Sequence, residues 1–140
     1  MCKPFSIILA LSLVLSAACV LAAGLQENQN PPATNTAVPA TAVNQANPVK
    51  PTAESLATGK KYYGYDCAMC HGANGDGKGD VAVDEKMNVG DFRESLAGKT
   101  DGELHYIIKN GKGQMPPEGD RLKGNELWSL VNYVRSLAKK

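Results

Sequence analysis

The sequence predicts an all-α fold of three main helices, with long loops wrapped around a common centre. Three observations carry this. Apolar residues recur at three- and four-residue steps in three separate stretches, each flanked by capping residues. No stretch alternates with the period of two that a strand requires. A glycine-rich run, His71 to Lys99, separates the first two helices, and a loop of that length inside a small domain usually has a task.

The first helix is expected from about Ala53 to Cys67. Thr52 stands as its N-cap, and Leu56, Gly59, Tyr63 and Cys67 share one face. The second opens at Thr100-Asp101-Gly102-Glu103, a capping box in which the two side chains satisfy two free backbone N–H groups. Leu104, Ile107 and Ile108 form its apolar stripe, and Gly111 marks its end. The third runs from about Asn125 to Ala138 and buries Leu127, Leu130, Val131, Val134 and Leu137. Arg135, Lys139 and Lys140 lie near the negative end of its dipole.

These helices occupy only part of the 140 residues. Residues 4–24 carry no charge and follow a single basic residue, Lys3, so residues 1–24 read as a signal peptide or an N-terminal membrane anchor. Cleavage after Ala22 or Ala23, retention as a membrane span and lipidation at Cys19 are the three outcomes weighed. The chain is thus expected to be exported, and either periplasmic or anchored on the outer face of the cytoplasmic membrane. Residues 25–51 hold five prolines, no aromatic residue and only Glu27 and Lys50 as charges. Such a stretch buries too little apolar surface to offset its ordering entropy, and is expected to be a disordered tether.

Residues 52–140 form the expected domain. Its Lys plus Arg equal its Asp plus Glu, so no strong field draws it to nucleic acid. With one Trp and one Phe its core is thin for its size, and something further should complete it.

That completion is indicated by Cys67-Ala68-Met69-Cys70-His71. Two cysteines two residues apart, with histidine next, is the attachment signature of a c-type haem. Each thiol forms a thioether to one vinyl group, and the following histidine lies beneath the ring, where it can bind iron. A second axial ligand must come from the other face. Met115 is the candidate, in the loop Gly111-Lys112-Gly113-Gln114-Met115-Pro116-Pro117 between two helices, where the prolines direct the chain leaving the ligand. Its soft thioether would raise the reduction potential. Met69 lies within the attachment loop, Met87 in a stretch with no evident frame, and His105 on the second helix is the rival ligand. The candidate cofactor-binding residues are therefore Cys67, Cys70, His71 and Met115, with His71 and Met115 on the metal.

Other chemistries fit less well. Cys67, Cys70, His71 and His105 could supply four zinc ligands, but adjacent Cys70 and His71 suit one tetrahedral ion poorly. A thioredoxin-like pair would need a βαβ pattern. Gly72 to Lys78 nearly spells a phosphate loop, yet Gly79 stands where Ser or Thr belongs, and the run follows a helix rather than a strand. Lys78 spoils a calcium loop built on Asn74 and Asp76. Lys60, Lys61, Lys78, Lys109 and Lys112 could dock an acidic partner, or could be a solvated surface among interspersed acids.

Further residues stand in a fixed order around the motif. Gly59 and Tyr63 precede Cys67 by eight and four positions, and Tyr133 lies in the third helix. Gly72, Gly75, Gly77 and Gly79 follow the motif, then Asp91-Phe92-Arg93 and Gly113-Gln114-Met115-Pro116. With these, residues 52–140 resemble the class I monohaem c-type cytochromes of the small bacterial kind. The resemblance implies a cytochrome c fold around one covalently bound haem, with Gly59 and Tyr63 crossing Tyr133 where the terminal helices meet. One departure is that Lys78-Gly79-Asp80-Val81-Ala82 lacks the proline whose carbonyl, in many relatives, accepts the haem histidine's Nδ1–H.

The expected function is to carry single electrons between membrane-associated or periplasmic redox partners, as a monomer and without catalysis of its own. A small peroxidase-like haem enzyme, the haem subunit of a larger oxidoreductase and a gas sensor are the alternatives.

Overall fold

The computed structural model of the chain describes residues 37–139. The chain divides into Met1–Pro31 and Pro32–Lys140, and every described residue lies in the second unit. The expected leader, residues 1–24, and the beginning of the expected tether lie outside the described residues.

In chain order the elements are α1 (Ala40–Val43), α2 (Ala53–Tyr62), a π-helical turn (Tyr63–Cys67), α3 (Ala68–His71), α4 (Asp80–Asp84), α5 (Phe92–Ser95), α6 (Asp101–Asn110) and α7 (Asn125–Leu137). The only β feature among the described residues is an isolated bridge between Lys112 and Met115. The all-α expectation holds, and α2, α6 and α7 are the three main helices.

Thr52 caps α2 through a capping box closed by Ser55, with Ser55 N–H donating to Thr52 Oγ1 at 3.2 Å and Thr52 N–H to Ser55 Oγ at 3.0 Å. The helix does not run unbroken to the cysteines. The π-helical turn inserts an extra residue, which rotates the downstream residues relative to α2. Gly59 and Tyr63 therefore stay buried, while Cys67 turns toward a cavity. Cys67 is half-buried, packs against the same core as Tyr63 and lines that cavity.

Helices α2 and α7 cross at Gly59. A Cβ there would lie 2.2 Å from the Ser129 carbonyl oxygen and 2.7 Å from Tyr133 Cβ. The Tyr63 and Tyr133 rings meet edge to face, 5.3 Å between centroids. Ala is the better helix former by about 0.5–1 kcal/mol, but a methyl group against backbone forces the helices apart. Gly59→Ala is therefore expected to lower stability by about 1–3 kcal/mol, read as a fall in the urea midpoint at constant slope.

Thr100 and Glu103 close the expected capping box on α6, at 3.1 and 2.7 Å. All five apolar residues expected to be buried on α7 are buried. Arg135 does more than favour the helix dipole, for it reaches Asp101 at 2.8 Å and donates to the carbonyl of Lys99. It thus ties α7 to the start of α6.

The ordered part begins earlier than residue 52. Asn47 Nδ2 donates to Asn132 Oδ1 at 2.9 Å, Asn132 Nδ2 to the Val49 carbonyl at 2.9 Å, and Thr100 Oγ1 to the Val43 carbonyl at 2.7 Å. Gly102 lies against α1, where a Cβ would be 1.9 Å from the Ala42 carbonyl oxygen. Residues 40–51 form a strap on α6 and α7, because specific polar groups on those helices replace the apolar surface the segment lacks. These residues lie within the segment 25–51 expected to be a tether.

Candidate functional site

The π-helical turn and α3 present the Cys-x-x-Cys-His motif to one side of the domain. The loop after it doubles back sharply. Gly77 N–H donates to the His71 carbonyl at 2.9 Å and Phe92 N–H to the Gly75 carbonyl at 2.8 Å. Gly77 has φ +74°, and a Cβ there would lie 2.0 Å from the Val89 carbonyl oxygen, so only glycine suits the position. This wrapping brings the Phe92 ring to 4.8 Å from the His71 ring, inclined by 32°. Buried Tyr63 braces the other side of the loop, its hydroxyl donating to the Gly72 carbonyl at 2.6 Å.

The methionine loop is clamped as tightly. Lys112 and Met115 exchange backbone hydrogen bonds at 3.0 and 3.1 Å. Beyond the prolines, Glu118 and Gly119 N–H groups donate to the carbonyls of Ile108 and Lys109 at the end of α6. Met115 packs half-buried against the core.

Between these two structures lies a cavity of about 370 Å³, within the size range of small-molecule sites. Cys67, Cys70, His71 and Met115 all line it, so the fold brings together the four residues singled out from sequence. Phe92, Leu96, Leu104, Ile108, Leu130 and Val134 make its walls largely apolar.

Burial pulls the His71 pKa down, which keeps the ring neutral with a lone pair free. Its Nδ1 is buried without a hydrogen-bond partner. No carbonyl takes the place of the one that a proline offers in many relatives. Burial first, then the negative charges of Glu118 and Asp66, push the Cys67 thiol up to about 12, so it remains protonated and resists oxidation. Both motif cysteines are free thiols.

His105 does not join them. Its ring stacks on Trp128 with centroids 3.9 Å apart and planes inclined by 19°, and it is not part of the cavity wall. This removes the rival axial ligand and the fourth zinc ligand. Met87 has more frame than its sequence suggests: its N–H donates to the Ala82 carbonyl at 2.8 Å, and its side chain reaches the same cavity, as does that of Met69.

Two residues of the site have no sequence signal of their own. Phe92 lies in a segment marked only by its resemblance, and its stacking on His71 depends on the fold. Glu118, a carboxylate in the stretch Pro116-Pro117-Glu118-Gly119, is buried and lines the cavity.

An apolar cleft bearing two free thiols and a neutral imidazole suits a flat hydrophobic cofactor that is bonded through sulfur and ligated at a metal. Comparison with known proteins agrees. The family described as "Cytochrome C oxidase, cbb3-type, subunit III" matches residues 54–134. Cytochrome c6 of Cladophora glomerata is 36% identical over 59% of this chain and 88% of its own length. Cytochrome c6 of Pyropia yezoensis is 31% identical over 63% and 76%. Among solved structures, a chain of the Kuenenia stuttgartiensis reducing HAO-like protein complex superposes with a TM-score of 0.58 at 27% identity, over 73% of this chain. This chain spans half the length of that one. The match across more than half of the sequence, on a helical fold that gathers the attachment motif around one cavity, places the chain in the cytochrome c family that this subunit III model describes, with a covalent c-type haem and electron transfer as its work.

Proposed function

We propose that the chain is a one-electron carrier in which His71 and Met115 are the two axial ligands of a single haem bonded to Cys67 and Cys70. The observation that carries this is the convergence of all four side chains on one apolar cavity. Bound there, a haem supplies the ferric–ferrous couple that takes up and returns one electron.

The chain's own residues determine how that couple behaves. His71, held between the short return of the Gly72–Gly77 loop and the Phe92 ring, would supply a ring nitrogen to the iron. Met115, on a loop clamped to the end of α6, would supply a thioether, a ligand that raises the potential. The largely apolar walls would keep water from the buried side of a bound haem.

Electrons would pass between periplasmic or membrane-associated partners if the uncharged N-terminal segment, residues 4–24, exports or anchors the chain. No helix of the described residues is long and apolar enough to cross a membrane. The likeness to a chain of the HAO-like complex favours a second reading, a haem domain within a larger redox assembly. Co-purification of a partner of fixed stoichiometry would select it.

The test is a pair of ferric and ferrous absorption spectra of the exported protein. Wild type is expected to show the thioether-to-iron band and to bind no carbon monoxide when reduced at neutral pH. Met115→Ala should lose the band, bind carbon monoxide and have a lower potential, whereas Met87→Ala should match wild type. A band that survives in Met115→Ala refutes the ligand assignment.

A further inference from the structure

The haem cavity holds a carboxylate that electron transfer alone does not require. Glu118 lines the same wall system as Cys67, His71 and Met115, with its side chain only 7% exposed. Its Oε2 is buried and has no hydrogen-bond partner. Arg121 Nη1 lies 3.8 Å from that oxygen, too far for a hydrogen bond. The guanidinium is drawn instead to Asp66, at 2.6 Å. Arg121 is itself 61% exposed, so water screens what charge it offers.

We propose that Glu118 accepts a proton when the domain accepts an electron, so that over part of the pH scale this carrier moves one proton with each electron. The proposal rests on a haem occupying the cavity.

The physical basis is charge balance in a dry space. Reduction adds one negative charge to a cavity whose walls are mostly apolar, and a carboxylate in those walls then becomes harder to keep ionised. The electron comes from a one-electron donor, reducing ferric iron to ferrous. The proton comes from solvent and forms an O–H bond on Glu118. Oxidation returns both, and no other bond forms or breaks.

The neighbours act in the same direction. Burial raises the affinity of Glu118 for a proton, and Asp66 on the π-helical turn adds to it, while Arg121 opposes it. Of the other ionisable groups on that turn only Cys67 lines the cavity, and it would be consumed as a thioether once haem is attached. From α6 the Ile108 carbonyl meets only the Glu118 backbone, and Lys109 lays its stem along Gly119. Lys99 and Lys112 also reach the cavity wall. The charges that act on the carboxyl are those of Asp66 and Arg121.

The measurement is the midpoint potential of the purified haem-loaded protein from about pH 4 to pH 9, a span that covers a raised carboxylate. In wild type the one-electron equilibrium constant should fall with rising pH, at most tenfold per unit or about 59 mV. The fall should lie between the proton affinities of the oxidised and reduced forms, with flat limbs on either side. Glu118→Gln, neutral at every pH, should remove that fall and stay near the low-pH limb. Asp66→Asn removes a repelling charge and frees Arg121 for Glu118, so the fall should move to lower pH.

A flat wild-type curve overturns the proposal, as does a slope that persists in Glu118→Gln with an unchanged absorption spectrum. If Glu118→Gln loads no haem, Asp66→Asn decides, and an unmoved curve there refutes the idea. Loss of the thioether band in wild type would instead count against Met115 and leave the Glu118 result standing.

Discussion

The double variant Cys67→Ala/Cys70→Ala is expected to retain no haem and, without it, to lose the fold. The inner wall of the cleft is the core itself, Leu104 and Ile108 of α6 and Leu130 and Val134 of α7. Without haem those walls lack the surface they would pack on, a loss of about 5 kcal/mol at about 25 cal/mol per Å² of apolar surface. Domains of this size are stable by only about 5–15 kcal/mol in all. The loss is therefore a large share of the whole stability, and collapse of the walls would tear the loops from their clamps. Far-ultraviolet circular dichroism should show much reduced helicity, and urea unfolding should lose its cooperative transition. Each single variant keeps one thioether and the His71 ligand, so each should retain haem and fold with an intermediate midpoint. A double variant that unfolds cooperatively at the wild-type midpoint would show that the cofactor contributes little to the core.

The main helices were legible because they carry local signals. Thr100 and Glu103 close a box within four residues, and the α7 stripe repeats at helical spacing over its whole length. The attachment motif is equally local, since its chemistry depends on five consecutive residues. Features set by distant partners are not displayed in this way. The π-helical turn at Tyr63–Cys67 connects Tyr63, packed against Tyr133 and Phe92, to Cys67 at the cavity wall. Residue spacing alone cannot show that turn. His105 reads as a rival ligand in sequence, whereas in the fold its ring stacks on Trp128, twenty-three positions on. Glu118 is hidden for the same reason, because its burial depends on the end of α6 and on the π-helical turn rather than on its neighbours in sequence.

Deleting residues 39–51, with the N-terminal segment kept, should lower the stability of the haem-loaded domain by about 2–4 kcal/mol. The figure comes from weighing contacts against order. The strap makes four hydrogen bonds to α6 and α7 through Asn47, Asn132, Val43 and Thr100, each worth a net of about 0.5–1.5 kcal/mol. Val49 adds partial burial against the core. Much of the remaining gain is cancelled by the cost of ordering the backbone, about 1–2 kcal/mol per residue. The Asn47–Asn132 pair should dominate, because Asn132 is buried under the strap and truncating Asn47 leaves its amide oxygen without a donor. Asn47→Ala alone is therefore expected to cost about 1–3 kcal/mol, a large share of the deletion's effect. In a double-mutant cycle the Asn47→Ala and Asn132→Ala costs should fall well short of adding. Additive costs, or a deletion that leaves the urea midpoint unchanged, would mean that residues 39–51 lie on the domain without holding it. The absorption spectrum should not change in any of these variants, because the strap makes no hydrogen bond to any of the four residues proposed to hold the haem.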